Sequence, residues 1–169
     1  MLILKIIWLF LPGAVANMTP VVFQKINFLN ISINKKLFGE NKTYRGFFFG
    51  IIFSIITAFI QKYLGALLTG LEILNYSKIN ILLFGFLMGF GALTGDLLKS
   101  FIKRRLKINT GKIFAPFDQI DWIIGSIIVL NFYVNLKINF IIYSILILGI
   151  LHFLTNIVSY KLKIRKTLL

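Results

Sequence analysis

Residues 79–98, INILLFGFLMGFGALTGDLL, indicate a membrane-spanning helix. The stretch matches the roughly 20 apolar residues that a helix needs to cross a bilayer. Glycines recur in it as two pairs with a spacing of four, which lets membrane helices approach closely: Gly85, Gly89, Gly91 and Gly95. Asp96 lies near its end. A carboxylate costs about 2.5–3.5 kcal/mol at the centre of a membrane helix, so we expect Asp96 to have a function.

The composition predicts an integral membrane protein with a single domain over residues 1–169. The chain is 58% apolar and only 14% charged, whereas a soluble domain of this length needs a far more polar surface. It has no cysteine, which excludes disulfides, thiolate nucleophiles and sulfur-ligated metals. A net charge of +14 in a chain of continuous apolar segments is more typical of the positive-inside rule than of nucleic-acid binding, so we expect no nucleic acid.

The apolar runs predict an all-α membrane protein with five transmembrane helices and two polar loops. The expected spans are residues 2–23, 47–68, 79–98, 120–136 and 138–160. The first span begins like a signal peptide, but apolar character resumes at Val21, so we expect it to be retained. Pro12 and Pro20 are expected to break or kink it, with Asn17 between them near a cavity.

Basic residues predict the orientation of the chain. Most of the 19 lie in the two long loops or the C-terminal tail, and the exceptions are Lys5, Lys62, Lys78 and Lys137. Because positive residues accumulate on the cytoplasmic side, we expect both loops and the C-terminus in the cytoplasm and the N-terminus outside. The chain is therefore expected in the cell membrane as a multi-pass protein whose active site faces the cytoplasm.

A first candidate site follows the third span. If that helix continues beyond the membrane, Asp96, Lys99, Ser100 and Lys103 share one face of it. A carboxylate, a hydroxyl and two cations suit a metal–phosphate complex. Anchoring to anionic lipid would explain the basic residues but not the aspartate.

A second candidate site begins the fourth span. Pro116 suits the first turn of a helix, which places Asp118 and Asp121 on one face near its positive end. Mg²⁺ takes one or two carboxylates and completes its shell with water and phosphate oxygens. Helix capping explains one aspartate better than two, so these residues favour a Mg²⁺ site together with Asp96.

A third candidate site is the first long loop, where residues 38–46 read FGENKTYRG. Lys42, Thr43 and Arg45 supply donors for phosphate oxygens. The glycine spacing and preceding strand of a phosphate-binding loop are missing, and a positive-inside loop explains the segment equally well. His152 is the only histidine and is expected to be structural, which excludes a zinc site and a Ser-His-Asp arrangement.

Four segments in order resemble the CDP-archaeol synthase family, a short branch of the phosphatidate cytidylyltransferase superfamily. They are residues 16–20 (ANMTP), 38–46 (FGENKTYRG), 95–105 (GDLLKSFIKRR) and 116–121 (PFDQID). The five-span layout and the length agree as well. The wider superfamily carries a Lys-Asp pair after its Ser-x-x-Lys-Arg and glycines before its final Asp-x-x-Asp. This chain has neither feature, which leaves its lipid specificity open.

The resemblance implies transfer of CMP from CTP to an ether lipid phosphate of archaeal type or to phosphatidic acid, giving a CDP-lipid and pyrophosphate in phospholipid biosynthesis. It implies that Asp96 and Asp121 bind Mg²⁺, and that Asp118 is either a third ligand or a neighbour of a ligand. It also implies that Lys103 is a catalytic cation. The residues implied to bind substrate are Lys42, Thr43, Arg45, Gly46, Lys99, Ser100, Arg104 and Gln119, with Asn17 and Pro20 forming the lipid-side wall.

Two other functions remain open from the residues alone. A CDP-alcohol phosphotransferase usually carries several aspartates on adjoining helix turns. This chain has only the pair Asp118 and Asp121 in such an arrangement. A small transporter with Asp96 as its ion site would favour inverted repeats, and the sequence shows none. The bilayer is an expected partner in every case, and a homo-oligomer is compatible with the sequence.

Overall fold

The structure, a computed structural model, describes residues 1–65, 70–71, 73–109, 112 and 114–161. Within these ranges the chain forms six helices and no strand, and one isolated bridge joins Ser32 to Thr43. The helices are α1 (Leu2–Val22), α2 (Lys35–Phe38), α3 (Tyr44–Gly65), α4 (Ile81–Arg105), α5 (Phe117–Asn131) and α6 (Ile138–Lys161). The predicted all-α class is confirmed.

Four helices in the described part of the chain are long and apolar enough to cross a membrane. They comprise Leu2–Val22, Tyr44–Gly65, Ile81–Arg105 and Ile138–Val158. These segments correspond to the first, second, third and fifth predicted spans. The predicted end of the second span at residue 68 lies outside the described residues, as do the basic residues of the tail beyond Lys161.

The fourth predicted span differs from the helix that the structure contains. α5 ends at Asn131, whereas the predicted span continues to residue 136. The backbone N–H groups of Tyr133 and Val134 both donate to the Leu130 carbonyl, and the Asn131 side chain accepts from the Leu136 N–H at 3.0 Å. The chain therefore turns where an apolar helix was expected. At 15 residues α5 is about 22 Å long, shorter than the roughly 30 Å core of a bilayer.

The predicted break in the first span is not present, because α1 continues through both Pro12 and Pro20. Proline at position 12 has no N–H to donate to the Trp8 carbonyl four residues earlier. The side chain of Gln61 on α3 donates to that carbonyl instead. A neighbouring helix thus satisfies the freed backbone group, which allows the proline inside a membrane helix.

α4 is the central helix and packs against α1, α3 and α5. Its glycines explain the close contact on two sides, as their spacing predicted. A Cβ at Gly85 would lie 2.7 Å from the Ile55 Cα on α3, and a Cβ at Gly91 would lie 2.7 Å from the Gly125 carbonyl oxygen on α5. Because both neighbours are backbone atoms, only glycine allows helices this close together.

The helix directions bring four polar segments to one end of the bundle. The end of α1, the loop before α3, the end of α4 and the start of α5 meet there, as contacts among Pro20, Lys42, Asp96 and Asp118 demonstrate. We call this the polar end of the bundle. It contains the candidate site.

Candidate active site

Three aspartates and three lysines meet at the polar end of the bundle. Asp96, Lys99 and Lys103 project from one face of α4, because this helix continues to Arg105 as the spacing predicted. Asp118 and Asp121 project from the first turns of α5. We call Asp96, Asp118 and Asp121 the acidic cluster.

Lys99 lies among the three carboxylates of the acidic cluster. Its Nζ is 3.0 Å from Asp96 Oδ1, 3.3 Å from Asp118 Oδ1 and 2.7 Å from Asp121 Oδ2. The sequence predicted Lys99 as a residue that binds substrate. The structure adds that its ammonium joins α4 to α5.

Two further lysines complete the ion pairs. Lys42, from the loop before α3, pairs with Asp96 Oδ2 and so ties that loop to α4. Lys103 is 8% exposed, its Nζ lies 3.3 and 3.4 Å from the Asp118 oxygens, and it also donates to the Lys112 carbonyl. The described cluster therefore balances three carboxylates with three ammonium groups.

Asp121 retains acceptor capacity. It is 9% exposed, and neither of its carboxylate oxygens accepts a well-oriented hydrogen bond from the described residues, although Lys99 Nζ is close to Oδ2. Buried carboxylate oxygens of this kind suit a hard divalent cation. Within the described ranges, no group of three side chains already has the arrangement of a metal site. The donor chemistry thus fits Mg²⁺, whereas the present arrangement holds an ammonium.

Asp118 lies at the start of α5, ahead of its apolar stretch. Partial burial alone would raise its pKa. The Phe114 N–H, which donates to its carboxylate at 2.6 Å, and the charges of Lys99 and Lys103 outweigh that effect. They hold the pKa of Asp118 below its ordinary value, so this carboxylate is ionised at neutral pH.

A small cleft with both polar and apolar lining residues opens beside Asp96. It brings together several residues that the sequence singled out separately. Its polar lining comprises Asn41, Lys42, Thr43, Gly46 and Asp96, with Pro20 at the end of α1. Thr43 Oγ1 accepts the Gly46 N–H at 3.2 Å, which orders the start of α3.

An apolar groove opens beside Asp121, on the other side of Lys99. Its walls are large apolar side chains of α4, α5 and the segment before α5: Leu98, Ile102, Phe114, Phe117, Ile120, Ile124 and Ile128. The groove was not among the sites predicted from the sequence. The spacing of four between Ile120, Ile124 and Ile128 is the signal for it, but such a stripe equally indicates contact with lipid.

Several predicted site residues have other partners or positions. The Arg45 guanidinium donates to the Ile26 carbonyl. Ser100 Oγ donates to the Asp96 carbonyl at 2.9 Å, and Asn17 is half-buried on α1 and lines neither the cleft nor the groove. Gln119 and Arg104 are different: both Gln119 side-chain polar atoms and Arg104 Nε are buried without a hydrogen bond in the described part of the chain.

His152 is structural, as predicted. Its Nδ1 lies 3.1 Å from Trp122 Nε1 and 3.0 Å from the Gln119 carbonyl oxygen, so it accepts from Trp122 in one tautomer and donates to Gln119 in the other. These contacts join α6 to the first turns of α5, which carry the acidic cluster.

The comparisons with known proteins decide the family. A family model described as CarS-like, CDP-archaeol synthase, matches residues 1–168. The chain belongs to this family. A CDP-archaeol synthase of Methanococcus maripaludis strain C7 is 36% identical over 171 residues, covering 98% of this chain and 96% of that protein. One of Pyrobaculum arsenaticum is 30% identical, covering 95% of this chain and 93% of that protein.

A solved structure agrees with the family. An intramembrane enzyme for archaeal membrane lipid biosynthesis matches with a TM-score of 0.71 at 25% identity, covering 89% of this chain and 92% of that chain. These findings confirm the predicted family and favour cytidylyl transfer over the CDP-alcohol phosphotransferase and the transporter. Together with the four apolar helices, they identify a multi-pass membrane protein.

Proposed function

We propose that this chain transfers CMP from CTP to an ether lipid phosphate of archaeal type, giving a CDP-lipid and pyrophosphate. The family match over residues 1–168 carries the proposal, since the relatives are named CDP-archaeol synthases. A phosphate oxygen of the lipid attacks the α-phosphorus of CTP, and the bond to the oxygen shared with the β-phosphate breaks. Because that lipid phosphate is already ionised at neutral pH, a site of carboxylates and ammonium groups needs no strong general base.

The acidic cluster is the proposed Mg²⁺ site. Asp96 and Asp121 would hold the ion, with Asp118 as a further ligand or next to one. Buried Asp121 Oδ1, which accepts no hydrogen bond from the described residues, supports this assignment. When bound, Mg²⁺ would neutralise negative charge on the phosphate oxygens.

The cleft beside Asp96 is the proposed nucleotide site. Lys42, Thr43 and Gly46 line it and present an ammonium, a hydroxyl and backbone to the triphosphate. Lys103 and Arg104 would bind triphosphate oxygens from the end of α4, and Arg104 is suited to this because its Nε is unpartnered among the described residues. Arg45 would act indirectly, since its bond to the Ile26 carbonyl fixes the loop that carries Lys42.

The apolar groove beside Asp121 is the proposed lipid site. Its walls suit isoprenoid chains, and Lys99 and Asp121 lie on it, next to the proposed metal site. Pro20, which was expected on the lipid side, instead lines the nucleotide cleft. We therefore assign the lipid-side wall to the groove rather than to Asn17 and Pro20.

Five membrane spans with the polar end in the cytoplasm are the proposed topology. The C-terminal half of α6 returns to the first turns of α5 through His152, so α5 and α6 form an antiparallel pair. This pairing supports α5 as a fifth, short span. The polar end also carries most of the basic residues in the loops, which favours the cytoplasmic side for it and the outside for the N-terminus.

Release of pyrophosphate from CTP by the purified protein tests the function. An isoprenoid glycerol-ether phosphate and phosphatidic acid are offered in parallel with Mg²⁺, and dCTP, ATP and GTP replace CTP in control reactions. We expect turnover that requires lipid and CTP and is faster with the ether lipid. Folded protein that releases no pyrophosphate with either lipid would contradict the proposal, and faster turnover of phosphatidic acid would contradict its lipid specificity.

A further inference from the structure

Lys99 occupies the centre of the acidic cluster. Its ammonium lies within 3.3 Å of a carboxylate oxygen from each of Asp96, Asp118 and Asp121. Its side chain is only 15% exposed, so these carboxylates replace most of its water. The ammonium therefore takes the position that a cation bound by the same carboxylates would need.

The cluster is already neutral in this arrangement. Lys42, Lys99 and Lys103 balance the three aspartates in direct ion pairs. A divalent cation that entered beside Lys99 would bring two more positive charges within about 3–4 Å of the ammonium, at a partly buried site where repulsion is weakly screened. Asp121 Oδ1, which accepts no hydrogen bond from the described residues, is the oxygen at which such a cation could enter.

We propose that Lys99 is an internal cation that holds the acidic cluster together before a divalent cation binds, and that the entering cation displaces it. The displaced side chain has an adjacent place to go, because Lys99 also lines the apolar groove. There its ammonium would meet the phosphate of the lipid. This inference rests on the proposed metal site but does not depend on turnover.

Binding of Mn²⁺ to the purified protein without CTP or lipid tests the proposal. Mn²⁺ replaces Mg²⁺ because it prefers similar oxygen ligands and its free form is measured directly by electron paramagnetic resonance. We expect Lys99→Met to bind Mn²⁺ at least about tenfold more tightly than the wild type, because a competing cation in contact with the ligands is removed. Lys107→Met removes the same charge at an exposed position and should stay within about twofold of the wild type.

Equal or weaker Mn²⁺ binding by Lys99→Met would overturn the proposal, as would the absence of binding in both proteins.

If Lys99→Met does not fold, chemical modification of the wild type replaces it. Lysines are labelled with an amine-reactive reagent with and without Mn²⁺ and quantified by peptide mass spectrometry. We expect Mn²⁺ to increase labelling of Lys99 but not of Lys107, and unchanged labelling of Lys99 would overturn the proposal. If the protein shows these Mn²⁺ effects but does not turn over CTP and lipid, the proposed function is rejected and the role of Lys99 is not.

Discussion

Replacement of Gly91 by alanine tests whether the contact between α4 and α5 sets the geometry of the acidic cluster. A Cβ at this position would lie 2.7 Å from the Gly125 carbonyl oxygen and 2.8 Å from the Ser126 Cα. Ordinary contacts of this kind begin at about 3.5 Å, so the two helices would have to separate locally by roughly 0.7 Å. The neighbours are backbone atoms and cannot rotate away.

This separation acts on the site because α4 carries Asp96 and Lys99, whereas α5 carries Asp118 and Asp121. We expect Gly91→Ala to lower kcat about 10- to 100-fold, since misplacement by a fraction of an ångström impairs the alignment of reacting groups. We also expect it to lower the free energy of unfolding by about 1–3 kcal/mol through overpacking. Lipid-dependent pyrophosphate release and thermal denaturation of the same nanodisc samples measure both effects.

Gly149→Ala on α6 is the matched control. Its Cβ would lie 3.1 Å from the Ile120 Cγ2, a side-chain methyl that can shift by a few tenths of an ångström. Because Ile120 also lines the apolar groove, kcat is compared at saturating lipid, where we expect it within about twofold of the wild type. Full activity of Gly91→Ala together with an unchanged melting temperature would show that this contact does not set the geometry of the acidic cluster.

Three further predictions address the groove, the structural histidine and the pH dependence. Ile124→Trp should fill the apolar groove and raise the KM for lipid phosphate about tenfold without changing the KM for CTP. The control Leu146→Trp, on the exposed face of α6, should change neither KM. An equal rise in both KM values would contradict the assignment of the groove as the lipid site. His152→Leu removes the ring nitrogen that pairs with Trp122 Nε1 or with the Gln119 carbonyl, so it should lower the free energy of unfolding by about 1–3 kcal/mol. An unchanged melting temperature would refute this role. Because the folded-state pKa of Asp118 is lowered, its charge stabilises the protein fully above about pH 4 and this contribution disappears as the pH falls further. The difference in melting temperature between the wild type and Asp118→Asn should therefore shrink between pH 7 and pH 3, and a constant difference would contradict the role of this charge.

The spacing of polar residues predicted the centre of the candidate site. Asp96, Lys99 and Lys103 follow helical periodicity beyond an apolar run, and α4 is continuous through all three. Asp118 and Asp121 share a helix face at the same end of the bundle as predicted. Local periodicity was sufficient here because it decides which side of a helix each residue occupies.

Other features depend on residues far apart in the sequence. α1 continues through Pro12 because Gln61, 53 residues after Trp8, donates to the carbonyl that the proline leaves free. α5 stops at Asn131, although apolar residues continue, because the following turn satisfies its own backbone groups. The position of Lys99 among three carboxylates likewise requires the pairing of α4 with α5. No local pattern in the sequence indicates these contacts.

Lipid-dependent release of pyrophosphate from CTP by Asp121→Asn tests whether the acidic cluster is the active site. Asparagine keeps the size and shape of the side chain but removes the charge of the most buried carboxylate in the acidic cluster. We predict a loss of kcat of at least about 100-fold, comparable to removal of other charge-stabilising groups from active sites, in protein that retains its melting behaviour. Turnover close to that of the wild type would contradict the assignment of this cluster as the active site.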